Sequence, residues 1–190
     1  MKKISIIMLA ILSLGCVADK KETPVLDDGE LIGCPDMIRQ SAFFLNSFGL
    51  NEEQVQVWME NALSSEIQPC NECERLNEAA MLLQDKKGIY KNAMAKLINA
   101  VETVNPDSEL VTEKQVKKVN SLLSEDVDND DSYMLAGKYI DSLDLLEDFM
   151  VRQMRIPPEE TKNFTLDKFI IPLMENNSKK QEQTSQTNTD

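Results

Sequence analysis

From Cys34 to about Leu173, apolar residues recur every three or four positions, the spacing of one face of an α-helix. Met37, Ile38, Phe44, Leu45 and Phe48 form the first stripe; Pro35 suits the opening turn and Gly49 breaks the run. Asn51 with Gln54 three residues on, and Glu52 and Glu53 between them, predicts the next helix start, with Val55, Trp58, Met59, Ala62 and Leu63 inward. Pro69 opens a third run carrying Cys73, Leu76, Ala80 and Leu83 on one face, with Gly88 near its end. Tyr90, Ala93, Met94, Leu97, Val101 and Val104 make the clearest amphipathic run, which reaches Pro106. Thr112 with Gln115 repeats the capping logic ahead of Val116, Val119 and Leu123. A long helix is expected from about Tyr133 to Met154, stopped by Pro157 and Pro158. A last short one is expected over Thr165 to Leu173, with Pro172 near its end.

No strand-like alternation, glycine-rich phosphate loop or fixed-period repeat interrupts this pattern. The fold expected is all-α: a bundle of five to seven helices with short connections, forming one domain over residues 33–175. Residues 176–190 contain nothing apolar to bury and predict a disordered tail. Residues 16–32 are charged and contain Pro24 and Gly29, which predicts a flexible tether.

The chain opens MKKISIIMLAILSLGC. Two lysines precede an apolar run from Ile4 to Leu14, and Gly15 stands before Cys16. This is the pattern of a secretory leader over residues 1–15, too short to span a bilayer, which takes about 20 apolar residues. "LSLGC" resembles the lipobox of bacterial lipoprotein precursors, with Ser13 where that pattern usually has Leu and Leu12 one step further back. The resemblance covers residues 1–16. It implies cleavage before Cys16, covalent lipid on Cys16, and a protein tethered to the cell envelope by its acyl chains. Each buried methylene contributes about 0.8 kcal/mol, so several chains make a stable anchor. Val17 follows the cysteine where an Asp would favour the inner membrane in many Gram-negative bacteria, so the resemblance points to the outer membrane.

Charge and composition then remove function classes. The chain has 20 basic and 33 acidic residues, and its net charge of −13 becomes −15 once Lys2 and Lys3 leave with the leader. Such a balance repels phosphate backbones, so nucleic acid is not an expected partner. There is no histidine, which removes His-based acid–base catalysis, serine or cysteine triads, and His-ligated metal or haem. Asp141, Asp144, Glu147 and Asp148 read as a charged helix face before they read as paired catalytic carboxylates. The expectation is a protein that is not an enzyme and needs no cofactor.

Four cysteines remain to be placed. With Cys16 lipidated, Cys34, Cys70 and Cys73 face an oxidising compartment. In an up-down-up bundle the first and third helices start at the same end, so Cys34 and Cys70 would share a rim. The first expectation is a structural bond from Cys34 to Cys70 or Cys73, with Cys34–Cys70 leading and Cys73 buried. The alternatives are a Cys70/Cys73 redox pair at a helix start and a three-thiolate metal site, which lacks a fourth ligand for zinc.

"DVDNDD" sets Asp126, Asp128 and Asp130 at the first, third and fifth positions of an EF-hand-like loop. Asp131 stands where the turn needs Gly, and Gly137 where a bidentate Glu belongs. A weak calcium site is the most these residues would make; otherwise they form a solvated acidic connector. Two surfaces could therefore host a partner: the Trp58 region, were its ring exposed, and the acidic loop after Leu123. The expected partner is an envelope protein or another envelope macromolecule. The competing functional reading is a thiol-redox or metal-handling lipoprotein using Cys70 and Cys73.

Overall fold

A computed structural model describes residues 33–104, 113–124 and 132–175. The leader, Cys16, the tether, Asp126, Asp128, Asp130 and the tail lie outside the described residues. Those described are all-α, with seven α-helices and no strand. In chain order they are α1 Cys34–Phe48, α2 Glu52–Ser64, α3 Cys70–Gln84, α4 Ile89–Val104, α5 Glu113–Ser124, α6 Ser132–Arg152 and α7 Pro158–Thr165. They fall into two compact units, one containing residues 33–82 and 142–162, the other 83–141 and 163–175.

In the first unit the sequence signals act where expected. Pro35 enters the first turn of α1, and Gly49 ends the helix at φ 86°. The Gly49 N–H bonds to Asn46 O at 2.9 Å and the Leu50 N–H to Leu45 O at 3.1 Å. That paired closure leaves Leu45 and Leu50 both buried, and it needs a left-handed residue that glycine supplies without a Cβ clash. Asn51 caps α2, its side chain accepting the Gln54 N–H at 3.1 Å. α1 packs on α2. Trp58 meets Phe149 of α6 edge to face, ring centroids 5.1 Å apart. Both rings are buried, and such a pair adds about 0.5–1.5 kcal/mol beyond its area.

A buried polar pair also joins α1 to α3. Ser41 Oγ lies 2.9 Å from Asn77 Oδ1 and 2.9 Å from Met37 O, so its single proton is shared between two acceptors. Asn77 Nδ2 donates to Met37 O at 3.2 Å. Satisfied this way, the pair costs the core little; broken, it would leave buried groups without partners.

In the second unit α4 packs on α5, with Ala93, Met94, Leu97 and Val101 buried as their spacing predicts. Asp85, at φ 33°, accepts the Ile89 N–H at 3.1 Å and the Lys91 N–H at 2.8 Å. One carboxylate thus serves two donors that the helix start leaves open.

Two boundaries differ from the sequence expectation. α6 ends at Arg152, not near Met154. The final helix begins at Pro158, not Thr165, and continues without a break through a π-helical turn Leu166–Ile170 to residue 175. Pro158 cannot continue the helix before it, yet proline is pre-shaped for a first turn, and Glu159 and Glu160 beside it favour a helix start. The π turn has a cause in Pro172. A regular helix would press its ring on the Lys168 carbonyl, and it has no N–H to return. Here the Ile171 N–H reaches back to Leu166 O, widening the turn just ahead of the proline.

Two expectations test this packing. Asn77→Ala should lower stability by about 1–3 kcal/mol, read as a lower urea midpoint with an unchanged slope. The second concerns Tyr139, which is buried in the second unit. Its phenol pKa is raised above the ordinary 10.0, first by burial and then by the charge of Asp85. The folded value lies above the unfolded one, so this group supports folding fully below about pH 10 and withdraws that support as pH rises beyond. Tyr139→Phe should therefore flatten the fall in urea midpoint between about pH 9 and pH 11; an equally steep fall would remove Tyr139 as its cause.

Candidate functional site

Cys34 and Cys70 are joined, their Cα atoms 5.2 Å apart and 36 residues apart in sequence. Loop-closure entropy assigns a bridge of that span about 4 kcal/mol of stabilisation. This is the pairing that placed both cysteines at one rim, and it settles the choice between Cys70 and Cys73. Cys73, one turn into α3, is free and fully buried. Burial raises its thiol pKa; a side-chain hydrogen bond with Ser41 works against that and the charge of Glu72 adds to it. A buried, protonated thiol is a poor nucleophile, so the CxxC spacing yields one staple and one core residue. Among the described residues, no group of three or more His, Cys, Asp or Glu is arranged to hold a metal ion.

The bridge has a second effect. It fixes the start of α3 and with it Pro69, the end of the short α2–α3 linker. Within that linker Ser65 Oγ accepts the Ile67 N–H at 3.3 Å and donates to Ile67 O at 3.0 Å. Gln68 Nε2 donates to Leu63 O at 3.3 Å. The linker is thus tied at both ends and in its middle. It holds Ile67 at 88% exposure, outside any core.

Ile67 stands on the rim of an open groove of about 470 Å³. One wall is the face of α2 bearing Gln54, Val57, Trp58, Asn61 and Ala62, at three–four spacing. Gln153, Met154 and Arg155, just past the end of α6, form the facing wall. Trp58 is only 6% exposed and makes the floor, whereas Val57 beside it is 53% exposed. The exposed indole that the Trp58 surface required is therefore absent; the exposed apolar groups beside it are Val57 and Ile67.

The facing wall is shaped by an unusual helix end. The Gln153 and Met154 N–H groups both point to Phe149 O, at 2.8 and 3.3 Å, and the Ile156 N–H reaches Met150 O at 3.0 Å. The reversal requires Arg155 at φ 62°, a left-handed conformation that costs a non-glycine residue roughly 1–2 kcal/mol. Burial of the next residue, Ile156, holds it there. Sequence reasoning missed Ile67, Met154 and Arg155. For Ile67 a signal existed, since it is the lone large apolar residue in "SSEIQP"; for Arg155 there was none, because only the tertiary turn gives it that backbone.

Chemically the groove is simple. Its ionisable lining residues are Glu53 and Arg155, and no nucleophile is paired with a base along it. Such a surface is concave and open enough to receive another molecule. Comparison with protein-family models, curated proteins and solved structures returned no match for this chain.

Alkylation with a mass-tagged maleimide checks the cysteine assignment. The native protein should take no label on Cys34, Cys70 or Cys73. Denaturation without reductant should expose Cys73 alone, and reduction should add the other two. Rapid native labelling of Cys73 would reinstate the redox reading.

Proposed function

We propose that this chain is a lipid-anchored protein of the bacterial envelope whose helical domain acts by binding another envelope macromolecule, without catalysis. The observation that carries the binding part is the open groove along α2, with Val57 and Ile67 exposed at its rim. Ordinary globular surfaces scatter apolar residues singly; here two adjoin one concave site. The lipobox-like residues ending in Cys16 support the anchor. A disulfide between Cys34 and Cys70 accords with the oxidising side of a membrane, since such bonds are rare where thiols are kept reduced. Val17 after the lipidated cysteine favours the outer membrane. The acidic balance argues against a nucleic-acid partner. The competing thiol-redox or metal-handling reading requires an accessible Cys73, and burial of that thiol argues against it.

The test joins anchor and binding. Cells expressing the full chain are fed an alkyne fatty acid, and the protein is examined for label and for its place in fractionated membranes. Label should appear on the wild type and vanish from Cys16→Ser, which should leave the membrane fraction. Envelope crosslinking of the wild type should then recover one reproducible adduct. An unlabelled wild type sinks the anchor, and the absence of any reproducible adduct sinks the binding role.

A further inference from the structure

We infer that the α2 groove docks a basic, amphipathic polypeptide segment of another envelope protein, seating an aliphatic or aromatic side chain between Val57 and Ile67. The inference rests on the binding role proposed above and names the chemistry of the partner. Three observations carry it.

The first is apolar exposure on a fixed frame. Val57 is held by α2 and Ile67 by the Ser65 turn, Pro69 and the Cys34–Cys70 bridge. A rim ordered before binding spares the complex the entropy of ordering it, which otherwise costs about 0.5–1.5 kcal/mol per side chain. Trp58 closes the floor against Phe149, so an inserted side chain meets a packed surface and not a yielding one.

The second is charge. Residues 51–69 carry Glu52, Glu53, Glu60 and Glu66 and no lysine or arginine. Glu53 lines the groove and the other three lie elsewhere on the same acidic segment; an apolar strip in such a field attracts an apolar segment that brings its own cations. A second copy of this chain would bring the same carboxylates and a net charge of −15 without its leader, so self-association through this face is opposed. An anionic membrane surface is repelled on the same ground. Arg155, alone on the facing wall as a cation, is left to a carbonyl or carboxylate of the docked segment and gives it a direction.

The third is size and shape. The groove's α2 wall runs from Glu53 to Ala62, about 14 Å at 1.5 Å per residue. An open trough of that length suits several successive side chains of a peptide, as in helix-in-groove recognition, better than one enclosed small molecule.

The test uses the mature, lipidated full chain in nonionic detergent. Trp58, the sole tryptophan, serves as the reporter. Two Trp-free amphipathic peptides act as probes, one of Leu and Lys, the other of Leu and Glu. The Leu/Lys peptide should shift the Trp58 emission saturably and weaken as salt rises; the Leu/Glu peptide should do neither. Val57→Asp and Ile67→Asp should each weaken the Leu/Lys peptide roughly tenfold or more. Phe43→Asp, exposed but outside the groove lining, should not. Both groove positions are exposed, so unchanged circular dichroism is expected for these variants. The sign is informative: each substitution adds a negative charge, so attraction by bare charge would tighten binding where groove docking loosens it. Equal binding of the two peptides, no saturable shift, or Asp variants that bind as well as the wild type would each overturn the inference. If Ile67→Asp still gave the crosslinked envelope adduct, the groove would fall while the binding role stood.

Discussion

The Cys34–Cys70 bond is the constraint on which much of the first unit depends. It joins the starts of two helices separated by a third, so α1, α2 and α3 must close on themselves within 36 residues. That closure reduces the freedom of the unfolded chain and sets where α3 begins. Because α3 begins there, Pro69 and the linker before it have one place to run. The linker's residues are polar apart from Ile67, which the Ser65 turn leaves in solvent. A covalent bond chosen for stability thus also decides what the surface beside it presents.

Inside the same unit, polar and apolar interactions divide the work. Leu45, Leu76 and Ile38 are fully buried and supply non-directional stabilisation. Ser41, Asn77 and the Cys73 thiol sit among them and specify alignment, because each has a partner only in one register of α1 against α3. Cys73 shows how context overrides motif. Its spacing from Cys70 is that of a redox pair, but its position on the inward stripe removes it from solvent and from thiolate chemistry.

The groove gathers features that folding alone does not favour. Val57 and Ile67 gain nothing from exposure, and Arg155 adopts a backbone that a glycine would take more cheaply. Features that run against stability while shaping one concave surface are expected where a surface is used. An anchor at Cys16 would deliver such a surface to partners confined to the same membrane.

Much of the fold was legible in the sequence because helix-forming signals are local. Proline at a first turn, glycine at an end, Asn51 with Gln54, and three–four apolar spacing all act within a few residues, and they fixed the helical class, most boundaries and most core positions. Helix order put Cys34–Cys70 ahead of Cys34–Cys73, and the tertiary structure decided between them. What sequence reading could not supply depended on contacts between distant segments. Pro158 stops one helix and starts another, and the widened turn before Pro172 depends on how a chain avoids a clash it never shows in one dimension. Trp58 is buried because Phe149, 91 residues away in sequence, covers it; Val57 is exposed because nothing in its unit does. The groove exists only where α2 meets the end of α6. Local chemistry therefore determined the elements, and tertiary packing alone decided which of their faces remained for another molecule.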